Sequence, residues 1–548
     1  MKASRILVAA CGVVVSAAAC GGSNVTTPPP NIDCSTVAPT ALAVGAQAII
    51  DPTTTGGCLN LPAASAGGAE HLIVALSTAG TETGSGVQGT YSFAGQPGAS
   101  VPANPSAARL HAFAPPSTAG EFHRMLRERE RAIAADPASL LPNVTKNSAS
   151  APVFVGDHRA FQVCADPTCT GYVTVTATAK FVGLKGAIFL DDTVPTGGYL
   201  QSDIDAVGTL FDGPAPNMYS IDTTAFGRES DIDNNGVVII LLSDQINKLS
   251  GNCSQTGSVI LGYFFGNDLT NNANSNHGEV FYGLVPDPNN VNCQISASFA
   301  IRNIAPTFIH EFQHMISFNQ HVLVQGGSAE ETWLNEGLSH YAEYLGGSEL
   351  NASQCDQNDC FSQFSQNDLS NAFNYLNNPE QFFLIEPLTS QGGLEERGAN
   401  WLFVRWFTGA FAADSVLGTD MTRALVQTNL TGAANVSTQS GVNFSTLVTQ
   451  WQMANYLESR PGFSEPTGRL HYKSIDLAAD FGLLGLGAYP LAPDITTSGN
   501  YSRTGTLKAG SGPQLRVVQG ASALPVKLQV TTSNSATVQP RIGVVRLQ

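Results

Sequence analysis

The sequence HEFQH at positions 310–314, followed by WLNEGLSHYAE at positions 333–343, decides which fold this chain of 548 residues adopts. Side chains four positions apart lie on one face of an α-helix, so His310 and His314 can bind one cation together. Zinc suits this spacing, because it takes imidazole nitrogens at about 2.0–2.1 Å and leaves one position open for water. Glu311 is then the predicted general base of a metal-dependent hydrolase. The alternative is a pair of core histidines held by ordinary hydrogen bonds.

Two helices are predicted around these motifs. The first should begin near Pro306, since proline is favoured in the first turn and mostly apolar residues follow it. The second should run over residues 329–345, because positions 328–331 match a capping box and two glycines follow the helix. This second helix would place three polar side chains on one face: Glu336, His340 and Glu343.

Three downstream residues are candidates for the third metal ligand, namely His321, Glu336 and His340. A metzincin site requires glycine at 317 and histidine at 320, whereas this chain has Ser317 and Gln320, and His321 comes one residue late. The metzincin pattern therefore fits poorly, which leaves Glu336 and His340 on the second helix as candidates.

The sequence around Glu336 resembles the second active-site helix of gluzincins, metallopeptidases whose third zinc ligand is a helical glutamate. The gap of 21 residues between His314 and Glu336 is a little longer than in membrane alanyl aminopeptidases. The motif pair is more similar to that of the hyicolysin family of secreted bacterial metallopeptidases. This resemblance implies an α+β, zincin-like (gluzincin) catalytic domain in which zinc is bound by His310, His314 and Glu336.

Two departures from these relatives bear on function. The chain has no Gly-x-Met-Glu-Asn segment, which grips the free amino terminus in alanyl aminopeptidases, so an endopeptidase is favoured. Thermolysin-like enzymes carry aspartate four residues after the ligand glutamate, where this chain has His340. His340 is thus an orienting residue, a transition-state donor or an ordinary residue of the helix face. The candidates for stabilising the oxyanion are Tyr341, Tyr344, Tyr375, His340 and His277.

Composition and the amino-terminal sequence indicate an exported protein of about three domains. Charged residues make up 13% and the formal net charge is −17, which argues against nucleic acid as a partner. Residues 1–20 are predicted to be a signal peptide, and the small residues before Cys20 resemble a bacterial lipobox. Cys20 would then carry a lipid anchor, the sole membrane attachment, with residues 21–33 as a tether. The alternative is an ordinary secretory signal.

The eight cysteines after Cys20 are expected to form disulfides in an exported chain. The simplest arrangement pairs each with its neighbour: Cys34 with Cys58, Cys164 with Cys169, Cys253 with Cys293, and Cys355 with Cys360.

Patterns of apolar residues divide the remaining chain into four regions. These are a β-sandwich-like module at 34–115, an amphipathic helix and linker at 116–150, the catalytic domain at 151–485, and a C-terminal β-module at 486–548. The charge run at 127–131 is either the solvated face of that helix or part of an inhibitory prosegment. The run at 279–285 is either an edge strand that pairs with an extended substrate or an ordinary strand of the sheet. A later helix is predicted at Phe444–Leu457.

Residues 231–236 match the start of a calcium-binding loop, with oxygen-bearing side chains at Asp231, Asp233 and Asn235. The twelfth position is Leu242 where an EF-hand has a bidentate glutamate, so the loop is not an EF-hand. It is either a different calcium loop or an Asx-rich turn before a strand.

These observations predict an exported, lipid-anchored zinc metalloendopeptidase that hydrolyses internal bonds of proteins or peptides, with Glu311 as general base. Two alternatives stay open at this point. One is an aminopeptidase-type exopeptidase, and the other is a non-catalytic envelope-binding protein on the same scaffold.

Overall fold

Fifteen β-strands and fourteen α-helices are formed by the residues that the computed structural model describes, which are 33–95, 118–136, 138–140, 152–389 and 392–548. The predicted signal peptide, Cys20 and the tether up to residue 32 lie outside these ranges. The strands are β1 (Gln47–Ile50), β2 (Cys58–Leu61), β3 (Ala69–Ser77), β4 (Gln88–Gly95), β5 (His158–Cys164), β6 (Tyr172–Val182), β7 (Gly186–Asp191), β8 (Val238–Leu242), β9 (Gly262–Phe264), β10 (Val280–Gly283), β11 (Asp494–Thr496), β12 (Ser502–Lys508), β13 (Gln514–Gln519), β14 (Val526–Thr532) and β15 (Pro540–Arg546). The helices are α1 (Thr118–Ala134), α2 (Gln201–Asp212), α3 (Met218–Ala225), α4 (Asp244–Leu249), α5 (Cys253–Thr256), α6 (Ala297–Phe318), α7 (Thr332–Glu349), α8 (Cys360–Asn377), α9 (Leu394–Phe411), α10 (Thr419–Val426), α11 (Gly432–Ser440), α12 (Phe444–Leu457), α13 (Leu477–Leu483) and α14 (Ser535–Val538).

Two sheets are built from strands at both ends of the described chain. One has the strand order β1-β15-β3-β13-β11, and the other has the order β12-β4-β14-β2. β3 is buried at all nine positions, because the two sheets share a hydrophobic core and α12 packs against β3 and β15. The regions predicted as separate modules at 34–115 and 486–548 therefore contribute strands to the same two sheets. The sequence of each region gives no indication that its strands pair with strands at the opposite end of the chain.

The third sheet lies in the middle of the chain and has the order β5-β6-β7-β8-β10-β9. β7, β8 and β10 run parallel to one another, whereas β5, β6 and β9 are antiparallel to their neighbours. This mixture of helices and sheets agrees with the predicted α+β class. The interpretation of 279–285 as an edge strand is wrong, because β10 is paired on both sides. The edge strands are β5 and β9, and β9 packs against α6.

The two motif helices, α6 and α7, exist but begin elsewhere than predicted. The Ser296 hydroxyl caps α6, so Pro306 lies inside the helix and not in its first turn. α7 begins at Thr332, whose N–H donates to Oε1 of Glu82 at 3.0 Å. A carboxylate from the loop after β3 thus replaces the capping box that was expected at 328–331.

All four predicted disulfides are present. Each joins cysteines that are neighbours in the sequence after Cys20, as expected. Within the described ranges, no helix combines the length and the apolar character needed to cross a bilayer.

Candidate metal centre and active site

Three ligand atoms from α6 and α7 converge. Nε2 of His310 lies 3.2 Å from Nε2 of His314, and Glu336 places Oε2 3.6 Å from the former and Oε1 3.8 Å from the latter. Ligand atoms about 2.0–2.1 Å from a tetrahedral zinc ion stand about 3.3 Å apart, close to these distances. The buried Oε1 of Glu336 accepts no hydrogen bond from the described residues. The three residues can therefore hold a metal ion.

The other ring nitrogen of each histidine faces a side chain of α7. Nδ1 of His310 lies 2.7 Å from Oε1 of Glu343, and Nδ1 of His314 lies 3.1 Å from Oδ1 of Asn335. Both partners are acceptors, so each Nδ1 carries the proton and each Nε2 keeps its lone pair for a metal. The motifs placed Glu343 on the same face as Glu336 but gave it no role. Glu343 lies two helical turns after Glu336, and this spacing is the sequence feature that could have predicted its contact with His310.

His340 contacts two carboxylates. Its Nδ1 lies 2.9 Å from Oε1 of Glu343 and 2.8 Å from Oδ1 of Asp368. Burial disfavours a charged imidazole, but the two carboxylates outweigh burial and raise the pKa of His340 to about 10. Geometry also groups His310, His340 and Glu343 as possible ligands, and the two carboxylate contacts place a proton on Nδ1 of His340. Of the three roles predicted for His340, the contacts favour orientation, acting through Glu343.

Glu311 is buried beside the edge strand β9. Its Oε2 accepts a hydrogen bond from the N–H of Phe264 at 2.9 Å, and its Oε1 lies 3.7 Å from Nδ1 of His123. Burial raises the pKa of Glu311 to about 7, although electrostatic interactions with the His310 ring and with Arg127 oppose the rise. A carboxyl group with a pKa near neutrality can both accept a proton and return it.

Arg397, from α9, binds the candidate ligand Glu336. Its Nη1 donates to Oε2 of Glu336 at 2.7 Å. Burial opposes ionisation of Glu336, but the guanidinium of Arg397 outweighs it and holds the pKa of Glu336 well below the usual value. Glu336 is therefore a carboxylate, the form that binds a metal. Neither motif predicts Arg397, which belongs to a third helix.

Helix α1 covers this group of residues. Arg127 donates through Nη2 to the carbonyl oxygen of Phe264 at 2.8 Å, and Glu130 accepts from the N–H of Gly266 at 2.7 Å. Arg127 and Glu130 also lie 3.3 Å apart, and they are only 3% and 2% exposed. The interpretation of the charge run as a solvated face is therefore wrong for these two residues.

Comparison with known proteins is consistent with this site. No protein-family model matches the chain. A segment of 126 residues is 33% identical to the neutral metalloprotease ShpI of Staphylococcus hyicus. The match supports a relationship to metallopeptidases. It covers 22% of this chain and 26% of that protein, so the chain matches about a quarter of the length of this relative.

Five other candidates from the sequence are engaged elsewhere. The hydroxyl of Tyr341 donates to a backbone carbonyl at 2.8 Å, and that of Tyr375 accepts from a glutamine amide at 2.9 Å. The ring of Tyr344 packs against a guanidinium, and Nδ1 of His277 lies 3.1 Å from a carbonyl oxygen of its own loop. His321 lies in the π-helical turn after α6, with its Nε2 near a carboxylate outside the three-ligand group. None of these contacts involves Glu311 or the three-ligand group.

The candidate calcium loop precedes β8. Asp231 and Asp233 face a third carboxylate, Glu279, which directly precedes β10, and one oxygen from each lies within 4.8 Å of the others. Asn235 makes hydrogen bonds instead: its Oδ1 accepts from the N–H of Val237 at 2.7 Å, and its Nδ2 donates to Oδ2 of Asp233 at 2.8 Å. The loop motif does not predict Glu279, since only the pairing of strands brings it there.

Proposed function

We propose that this chain is an exported zinc metalloendopeptidase, lipid-anchored through Cys20, in which His310, His314 and Glu336 bind zinc and Glu311 is the general base. The observation that carries the proposal is the convergence of three ligand atoms next to Glu311 on the same pair of helices. A bound zinc ion would polarise the scissile carbonyl group and lower the pKa of a water molecule. The relationship to a neutral metalloprotease supports the same class of reaction.

Glu311 transfers the proton in this mechanism. It accepts the proton of the attacking water and delivers it to the leaving amine, a task suited to a pKa of about 7. The Phe264 N–H holds Oε2 of Glu311, which leaves Oε1 to take the proton. Oε1 is the oxygen that now faces His123 of α1.

The edge strand β9 is the proposed docking site for the substrate backbone. Both backbone polar groups of Phe264 are bound by side chains and not by β10: its N–H by Glu311 and its carbonyl by Arg127. An extended peptide pairs with such an edge through its main chain. Because α1 occupies the Phe264 carbonyl, α1 must leave β9 before a substrate can pair there. An internal stretch of peptide can lie along this edge without either terminus being bound, which favours endopeptidase action.

The test compares Glu311→Gln with the parent on a peptide blocked at both ends. Glu311→Gln should keep its metal, measured by elemental analysis, and lose cleavage. Glu336→Ala should lower the metal content, and Glu395→Gln, at a half-buried position in the first turn of α9, is the matched control that should change neither.

The comparison is repeated in an Arg127→Ala/Glu130→Ala background, so that cover by α1 does not hide the result. Cleavage by Glu311→Gln at the parental rate would exclude the mechanism. An unchanged metal content in Glu336→Ala would remove Glu336 from the ligand set. Cleavage of free-ended peptides alone would favour an exopeptidase.

A further inference from the structure

A second group of acidic side chains lies at one end of the third sheet. Asp231 and Asp233 belong to the loop that enters β8, and Glu279 directly precedes β10. β8 and β10 are parallel neighbours, with Ile239 opposite Val280, so the segments that enter them meet at the same end of the sheet. One carboxylate oxygen from each of the three acidic residues lies within 4.8 Å of the others.

Glu279 is the buried member of this group and is only 1% exposed. Its Oε1 accepts hydrogen bonds from the Ser230 hydroxyl at 2.5 Å and from the N–H of Ile232 at 3.0 Å. Its Oε2 is also buried but accepts no hydrogen bond from the described residues. A buried carboxylate oxygen without a partner is costly, and a cation at this position would satisfy it.

The carboxyl groups of this cluster outnumber the cation beside them. Arg159 is the cation that faces it, with Nη1 3.6 Å from Oδ2 of Asp233. One guanidinium stands against three carboxyl groups, and Arg159 also donates to the carbonyl of Asn276 at 2.6 Å. Asp231 is exposed, so an ion can reach the group from solvent.

We propose that Asp231, Asp233 and Glu279 bind a divalent cation that prefers oxygen ligands, namely Ca²⁺. The three side chains offer oxygen atoms alone, which disfavours zinc and other metals that prefer nitrogen or sulfur. Calcium tolerates an irregular set of carboxylates and waters, whereas Mg²⁺ demands near-ideal octahedral geometry. Bound calcium joins the loop before β8 to the start of β10 and so stabilises this end of the sheet. The site is independent of the peptidase proposal.

Calcium binding to the full chain tests the proposal. After treatment with a chelator selective for calcium, equilibrium dialysis against CaCl2 should show one calcium ion bound per chain. Added CaCl2 should also raise the Tm of thermal unfolding. Glu279→Gln and Asp231→Asn should each weaken binding at least about tenfold, because ligand charge sets calcium affinity. Asp205→Asn, on the exposed face of α2, should bind calcium like the parent.

Asp231→Asn keeps the test valid if Glu279→Gln disturbs folding, since Asp231 is exposed. No binding to the parent, or parental binding in both variants, would overturn the site. Tighter binding of Mg²⁺ than of Ca²⁺ would overturn the assignment of the ion. None of these results depends on peptidase activity.

Discussion

Oε1 of Glu343 lies 2.7 Å from Nδ1 of His310 and 2.9 Å from Nδ1 of His340, so one carboxylate oxygen serves two imidazoles. Burial opposes ionisation of Glu343, but its bonds to the two histidines outweigh burial and lower its pKa. The charged carboxylate fixes the proton of His310 on Nδ1 and directs Nε2 toward His314 and Glu336. Asp368, from α8, also contacts Nδ1 of His340 and so helps to hold His340 next to Glu343.

Glu343→Ala should therefore weaken metal binding about 10- to 100-fold, the usual effect of removing a partner that orients a ligand. Glu343→Gln should lose less, because its amide oxygen can still accept a hydrogen bond from Nδ1 of His310. Competition with a chromogenic zinc chelator measures both affinities. Glu349→Gln, at the end of the same helix, is the control. Equal affinity in Glu343→Ala and the control would show that Glu343 does not orient the ligand.

Removal of the buried pair on α1 should increase peptide cleavage. Arg127→Ala/Glu130→Ala deletes the contacts with Phe264 and Gly266, so α1 loses its hold on β9 and the substrate gains access. Deleting both charges together avoids leaving one of them buried and unpaired. The matched control is Arg124→Ala/Glu128→Ala, which removes a more exposed pair at 2.9 Å on the same helix. Cleavage rates per bound zinc are compared. Equal rates in the two double variants would show that α1 does not limit access.

Features that depend on short stretches of sequence were predicted well. The four disulfides join cysteines that are neighbours in the sequence. The helix α12 has the predicted bounds, Phe444–Leu457, because residues three and four positions apart determine which face of a helix is apolar. The pairing of β1 with β15 was not predicted, since two strands at opposite ends of a chain carry no mutual signal. The same limit explains the cap from Glu82, which reaches α7 from a distant loop.

In the candidate site, too, local features were predicted and contacts between distant elements were not. The spacing within α6 and α7 indicates which residues can converge on a metal, because both motifs are local. Arg397 and the cover by α1 depend on how distant elements pack. A charged, amphipathic helix has the same sequence pattern whether water or another surface lies against its charges. The alternating charges at 127–131 therefore could not predict that Arg127 and Glu130 are buried.

Stability should depend on pH through Glu279. Burial raises its pKa from 4.5 to about 7, against hydrogen bonds from Ser230 and Ile232. Because the folded pKa exceeds the unfolded value, the stability that Glu279 contributes is complete below about pH 4.5 and is lost as pH rises through about 7. Asp233 adds to this trend, since burial raises its pKa too.

Calcium requires the ionised carboxylate, so its effect on Tm should be small near pH 5 and large near pH 8. Thermal unfolding with and without CaCl2 measures the difference, and Glu279→Gln should reduce it. A calcium effect of the same size at both pH values would separate the ion from the titration of Glu279.

Gly337 lies where α7 packs against Asn400 and Val404 of α9, directly after Glu336. A Cβ atom there would stand 2.8 Å from the carbonyl oxygen of Asn400 and 2.9 Å from Cγ2 of Val404. Gly337→Ala should lower the free energy of unfolding by about 1–3 kcal/mol, because the strain of overpacking exceeds the gain in helix propensity. Gly482→Ala in α13, where no atom lies within 4 Å of the added Cβ, should instead raise it by up to about 1 kcal/mol. Denaturant unfolding measures both, and a gain in stability for Gly337→Ala would contradict the close approach of the two helices. Metal affinity should fall in Gly337→Ala alone, since the strained helix carries Glu336.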